Sequence, residues 1–336
     1  MSTAVTDAQA SLRPPIRWGV LGANSAIAQR STLPAIATSP FAIVTAVASK
    51  SHPDGAGYDT HGALRTYATY DEVVGDDEVE AVYIALPNGM HSEWTVRAAE
   101  AGKHVLCEKP LATASAEALE MVQACEQNGV VLMEALATPF HPRAVLLQEL
   151  LRSRRLGMLR SAYASFTRVL EVTDDMHWRP EAGGGALLDM GVDCLALLLQ
   201  SAGHPPIEVA GAGMLARTGV DASFQGFLDF GKAFTAGFAC SLETAQGQVL
   251  EIAGKQATVS IERPFTPSAT DTSLRLVNKD GTVEDIEAPA GDAHQVMVEH
   301  FAEVVRDATP LRCPPAKSIE VLKLVERLKS AARWEF

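Results

Sequence analysis

The chain is short of positive charge, of aromatic rings and of paired cysteines. Lys and Arg number 28 against 41 Asp and Glu, a formal net charge of −13. That balance argues against nucleic acid or an anionic membrane as partner, because both are met by basic patches. An anionic small molecule stays open, since it needs only a local positive site. The five cysteines (107, 125, 194, 240 and 313) are odd in number and scattered, with no Cys-x-x-Cys pair. They exclude a zinc knuckle or disulfide framework and read as reduced thiols of a cytoplasmic protein without a metal centre. No apolar run approaches the roughly 20 residues that a membrane helix needs. The first fourteen residues lack an apolar core and read as a loose tail, not a signal peptide.

What is present is ordinary globular composition, 336 residues of which 47% are hydrophobic and 21% charged. That length is long for one core, so two domains are expected. From Ile16 strands alternate with helices: strands over 16–21, 42–48, 81–86, 104–107 and 130–134, helical pieces over 26–37, 70–74, 91–101 and 115–128. This predicts a doubly wound parallel sheet, an α/β domain. A helix over 144–155 follows, and then extended segments predominate: 159–170, 207–217, 223–230, 233–242, 249–261, 273–277 and 282–288. Helices are expected over 186–201, about 292–307 and 317–333. Strand runs with helices set apart predict an α+β domain on a large, open, mostly antiparallel sheet. The expected division is a tail over 1–14, a dinucleotide-binding Rossmann domain over 15–140, and a substrate-binding and oligomerisation domain over 141–336. The last helices are free to pack back on the first domain.

The most informative stretch is His104-Val-Leu-Cys-Glu-Lys-Pro-Leu-Ala-Thr113. Strand interiors do not carry adjacent opposite charges without a reason, because both would be desolvated. Pro110 ends the strand and keeps Lys109 out of helical geometry. An ammonium is thereby fixed at a strand's carboxyl end, where open α/β sheets place ligands.

Other strand ends carry matching signals. Strand one runs into Gly22, Ala23, Asn24, Ser25, Ala26 and Ile27, a turn suited to a pyrophosphate at a helix amino terminus, although the third glycine of the fingerprint is missing. Strand two ends in Ser49, Lys50 and Ser51 where an NAD-preferring fold has an acid. A cation between hydroxyls suits a 2′-phosphate, so NADP is favoured and NAD stays possible; the bland reading is a solvated loop lysine. Strand four ends in Leu86, Pro87, Asn88 and, three residues on, His91, candidates for the nicotinamide-ribose pocket. Asn88 is as well placed to cap the helix that follows.

The run Gly183-Gly-Gly-Ala-Leu-Leu-Asp189-Met-Gly-Val-Asp193-Cys194 sets two carboxylates four residues apart on one face of an apolar helix. They are candidate functional groups, against the alternative that Asp189 only complements the helix dipole. His177, Trp178 and Arg179 before the glycines, and His141, are weaker candidates for the cleft. Cys194 reads as a small core residue.

In this order and spacing, GVLGANSAIA, ASKS, ALPNGMH, HVLCEKPLAT and GGGALLDMG resemble the glucose-fructose oxidoreductase / inositol dehydrogenase (Gfo/Idh/MocA) family. Within it the chain looks most similar to NADP-dependent sugar-nucleotide C-3 ketoreductases, with dihydrodiol dehydrogenases next. The resemblance implies a Rossmann domain plus an open-sheet domain, and dimers or tetramers built on that sheet. It implies that Glu108 and Lys109 belong to the nicotinamide site, that Lys109 helps transfer a proton, and that Asp189 orients substrate. It implies an oxidoreductase of sugars, sugar nucleotides or polyols. The family's usual Tyr or His acid/base is here Asp193. An unperturbed Asp is ionised at neutral pH, which leaves Lys109 as the expected acid/base with Asp193 orienting it. The rival expectation is a redox-impaired dinucleotide- or sugar-binding homologue.

Overall fold

A computed structural model describes residues 14–171 and 175–335; all but the last residue of the expected 1–14 tail lie outside them. The first domain is a six-stranded sheet in the order β3-β2-β1-β4-β5-β6. Its strands are β1 (Ile16–Leu21), β2 (Ala42–Ala48), β3 (Arg65–Tyr67), β4 (Ala81–Ile84), β5 (His104–Cys107) and β6 (Leu132–Glu134), and all pair in parallel. Helices α1 (Leu33–Thr38), α2 (Tyr70–Val74), α3 (His91–Glu100) and α4 (Ser115–Gln127) cover the faces. β1, β4 and β5 are buried on both sides, as continuous apolar strands of a parallel sheet must be. The strand order reverses beside β1, between β2 and β4, and opens the crevice where doubly wound folds take ligands.

The second sheet follows α5 (Pro142–Arg152). Its nine strands run β14-β13-β12-β11-β7-β10-β9-β8-β15. They are β7 (Leu159–Val169), β8 (Glu208–Leu215), β9 (Asp221–Asp229), β10 (Thr235–Ser241), β11 (Glu243–Gly254), β12 (Ala257–Glu262), β13 (Ser273–Asn278), β14 (Val283–Glu287) and β15 (Ala332–Glu335). Pairing is antiparallel except for β10 on β7 and β15 on β8. One face is covered by α6 (Val192–Ala202), through Leu195, Leu198, Phe224 and Phe238 in the core. The chain returns through α7 (Ala293–Asp307) and α8 (Pro315–Ala331). α7 lies on the first domain, with Phe301 against Trp18, and α8 contacts α4, α6 and β8.

Three expectations change. The extended stretch 249–261 is two strands, because Gly254 and the two residues after it make a hairpin turn. β3 and β15 were not foreseen. The run Pro180–Ala202 is, by length and composition, long and apolar enough to cross a membrane, yet most of it is buried inside the protein. Gly183–185 and the two aspartates disguise it in the sequence.

Candidate active site

Lys109 follows β5 and is joined to Pro110 by a cis peptide bond. Its Nζ donates to the main-chain carbonyl of Asp189 and lies 3.5 Å from Asp189 Oδ1 and 3.2 Å from Asp193 Oδ2. The ammonium comes from the first domain and both carboxylates from the second. Asp189 sits in a π-helical turn, Leu187–Gly191, that runs directly into α6, whose first turn carries Asp193. Its amino end is tied down by Asp221, whose Oδ2 accepts from the Leu187 amide at 2.6 Å. Gly185 allows this approach: at φ +116° it is in glycine's territory, and a Cβ there would meet Asp221 Oδ1 at 2.5 Å.

The three charges have different fates. Burial alone would push the Lys109 ammonium down, but Asp193 and Asp189 outweigh it and hold its pKa above the ordinary lysine value. Burial pushes Asp189 up, yet Lys109 and then Arg168 overcome it and keep Asp189 below the usual range. Arg168 Nη2 is 2.6 Å from Asp189 Oδ2. For Asp193 burial wins over Lys109, and its carboxyl sits above the usual value. Its Oδ2 receives no aligned hydrogen bond despite the nearby ammonium.

Glu108 points the other way. It is buried, accepts from Tyr83 Oη at 2.6 Å and from the Lys109 amide at 3.2 Å, and burial lifts its pKa to about 7. It braces the backbone under Lys109 and does not present its side chain to the cleft, which corrects its expected place. His91 is also corrected: fully buried, it sets its ring nitrogens 2.8 Å from the Pro110 carbonyl and 2.9 Å from that of Leu86. It therefore ties the end of β4 to the Lys109 corner. Trp178 is fully buried too, its Nε1 donating to the Glu171 carbonyl, so it packs and does not line a pocket. Asn88 does not cap α3; its Nδ2 donates to the Gly183 carbonyl at 2.9 Å and joins the two domains. His141 caps α5 instead of facing the cleft. Cys194 is buried, its thiol pushed well up by desolvation, in keeping with a core residue. Arg179 is half-buried, and its Nε finds no hydrogen-bond partner.

Sequence reasoning missed Arg168 and Glu134. Glu134 ends β6 as Lys109 follows β5, and its oxygens accept from the Leu111 amide at 2.7 Å and the Ser318 hydroxyl at 2.6 Å. A charge at a strand end was the signal, the same one that marks Lys50 and Lys109. His177 was named, though not for the role it has: its Nε2 is 3.0 Å from Arg168 Nη2 and 3.8 Å from Asp189 Oδ1, and Asp175 holds its other nitrogen.

At the first turn, Gly22 has φ +79° and a Cβ there would meet the Ala85 carbonyl oxygen at 2.4 Å. Ala23 is buried, while Asn24, Ser25, Ala26 and Ile27 rise to the surface. Beyond them lies a polar cluster: Asn24 Nδ2 is 3.3 Å from Ser51 Oγ and 2.9 Å from His52 Nδ1, and Ser49 Oγ is 3.2 Å from Ser51 Oγ. Lys50 beside them is exposed. A glycine-bearing turn whose surface lip adjoins hydroxyls and one ammonium fits a dinucleotide with a phosphorylated ribose.

Two family models match the chain: the oxidoreductase family with an NAD-binding Rossmann fold over residues 16–136, and the GFO/IDH/MocA C-terminal domain over residues 145–260. The chain belongs to the GFO/IDH/MocA oxidoreductase family and is itself an oxidoreductase. It is 36% identical over 298 residues to dTDP-3,4-didehydro-2,6-dideoxy-alpha-D-glucose 3-reductase of Streptomyces violaceoruber, covering 87% of this chain and 86% of that one. It is 29% identical over 252 residues to the trans-1,2-dihydrobenzene-1,2-diol dehydrogenase of Sus scrofa, covering 74% and 75%. Among solved structures, a 3-ketoreductase of Actinomadura kijaniata in complex with NADP and TDP-benzene superposes with TM-score 0.88 at 30% identity, covering 95% and 98%. That enzyme was also solved with a tyrosine changed to phenylalanine and with a lysine changed to alanine.

Proposed function

We propose that the protein is an NADP-dependent oxidoreductase that interconverts a hydroxyl and a ketone on a sugar, sugar nucleotide or similar polyol. The observation that carries this is Lys109, fixed at a strand end of the first domain and bracketed by Asp189 and Asp193 of the second. Relatives named for NADP, sugar ketones and diols support the cofactor and the reaction type. Gly22 to Ile27 would hold the pyrophosphate, Ser49, Lys50 and Ser51 the 2′-phosphate, and Leu86, Pro87 and the Lys109 corner the nicotinamide end. When bound, the cofactor supplies or accepts the hydride at its nicotinamide ring.

The protein's own part is proton handling. Asp189, held ionised by Lys109 and Arg168, keeps the ammonium in position. Reduction requires a proton on the oxygen that gains negative charge, and the Lys109 ammonium gives it at Nζ. Oxidation is the reverse of that step: the proton returns to Nζ, and Lys109 hands one of its own to Asp193 Oδ2 3.2 Å away, a buried carboxyl held above the usual pKa. A carboxylate thus does what tyrosine or histidine does elsewhere in the family, and the convergence of all three groups disfavours a redox-dead homologue.

Absorbance at 340 nm with NADPH or NADP and a panel of ketoses, sugar nucleotides and cyclic polyols is the direct test. Cofactor binding without an absorbance change on any of them would overturn enzyme function. Two further readings belong here. Tyr163, Met214 and Phe227 share the uncovered face of the second sheet and are about half exposed, which supports a dimer formed through it, measurable by sedimentation. The free cysteines, four of them buried, suit a reducing cytoplasm.

A further inference from the structure

Behind Lys109 lies a chamber of about 260 Å³ between α6 and α8, closed at its inner end by Lys109, Glu134 and Asp193. We propose that this chamber receives the substrate, and that the substrate is a compact cyclic alcohol with a largely apolar body, or the ketone it forms, not a nucleotide-linked sugar. The inference rests on the reading of Lys109 as the hydride-transfer site and narrows what reaches it.

The walls argue first. Leu136, Val192, Leu197, Leu199, Val321 and Leu322 line the space. Every hydroxyl of a fully hydroxylated sugar set against such walls would need a partner or cost its desolvation. Few are on offer: Ser318 already donates to Glu134, and Glu134 has both oxygens engaged. The uncharged polar groups left along the walls are chiefly Thr138 and Gln200, with Arg312, Lys317 and Glu320 the remaining charged lining residues.

The cations argue second. A diphosphate is held by unneutralised arginines, lysines or helix amino termini. Lys109 is matched by two carboxylates, Lys317 is 2.9 Å from Glu320, and the Arg312 guanidinium carbon sits 5.0 Å from the Phe140 ring centroid. No pair of free cations faces the chamber among the described residues.

Size agrees with both. A chamber of about 260 Å³ admits a substituted six-membered ring.

The fourth observation points to a donor on the ligand. Asp193 is 5% exposed and lines the chamber, yet its Oδ2 accepts no aligned hydrogen bond. Its ion pair with Lys109 leaves that oxygen further lone-pair capacity, and a ligand hydroxyl can donate to it. Such a hydroxyl stands beside Lys109, since Nζ is 3.2 Å from that oxygen, so it is the reacting one. In oxidation its O–H proton passes to Lys109, which gives one of its own to Asp193, the hydrogen on its carbon leaves with the bonding pair to bound NADP⁺, and the C–O bond becomes a carbonyl. NADP⁺ is reduced and the alcohol oxidised.

The test uses the full-length protein with trans-cyclohexane-1,2-diol as probe and Ala196→Phe as blocking variant. Ala196 lines the chamber one turn beyond Val192 and is outside the charged cluster. The wild type should reduce NADP⁺ with the diol, and Ala196→Phe should raise KM for it at least tenfold with NADPH affinity unchanged. Gln200→Trp, at the surface end of the same helix face, serves if Ala196→Phe fails to fold. An unchanged KM in a folded blocking variant overturns the inference, and so does turnover of a nucleotide sugar that neither variant impairs. Calorimetry separates this from the parent reading. Binding of the diol that is lost in Asp193→Asn but gives no NADP⁺ reduction sustains the chamber and refutes hydride transfer, whereas no heat of binding in the wild type refutes the chamber alone.

Discussion

At Lys109 the main chain and the side chain are fixed by different halves of the molecule, Glu108 and Tyr83 below and Asp189 and Asp193 above. Lys109→Ala removes the proton carrier and should lower kcat by about 10²–10⁴-fold, with NADPH binding by fluorescence titration retained. Lys50→Ala should weaken NADPH by roughly tenfold, the size of a lost charge-assisted contact, and leave NADH affinity unchanged. Glu108 carries a pH signature. Its folded pKa of about 7 lies above the ordinary 4.5, so the fold favours its protonated form. The stability this gives is complete below pH 4.5 and is lost as pH rises toward 7, a drop of about 3 kcal/mol. Urea titrations from pH 4.5 to 8 should show the wild type losing stability over that window relative to Glu108→Gln.

The element that sets the site is the π-turn Leu187–Gly191, because it carries Asp189 and leads straight into the first turn of α6 with Asp193, so that both side chains stand beside one ammonium. Asp221 on β9 anchors that turn. Asp221→Ala leaves the Leu187 amide without its acceptor, which costs about 1–3 kcal/mol, and lets the turn drift. The expected result is a lower melting temperature and a fall in kcat, with cofactor affinity unchanged. At this scale the sequence was most readable where periodicity and punctuation agree. The apolar strands β1, β2 and β5 and the stop at Pro110 were plain, and so was the pairing of Asp189 with Asp193. The π-turn has no residue signature distinct from an α-helix. The β11–β12 turn hid because only Lys255 and Gln256 separate two apolar stretches, a break short enough to pass for part of one strand. His91 and Trp178 misled for one reason: a polar or amphipathic side chain near a cleft looks the same in sequence whether it faces ligand or braces the loop behind it. Whether carbonyls or a ligand satisfy it is decided by contacts 5 to 19 residues away.

At the scale of the whole molecule, the carboxyl-terminal segment stitches the domains. α8 buries Val321, Leu322, Leu324, Val325 and Leu328, and Ser318 and Glu326 bond to Glu134 and Ser115 of the first domain. Five buried aliphatic side chains contribute on the order of 10 kcal/mol, comparable to the net stability of a whole domain. A chain stopped before Pro315 should therefore lose cooperative unfolding and soluble expression, as read by circular dichroism and gel filtration. The seam at Asn88 and Gly183 has another bearing. There the two domains meet as bare backbone: a Cβ on Gly89 would lie 2.7 Å from the Glu181 carbonyl oxygen, and one on Gly183 would lie 2.9 Å from the Asn88 Cβ. An alanine at either glycine would therefore wedge the domains apart at this seam and draw Lys109 away from Asp189 and Asp193.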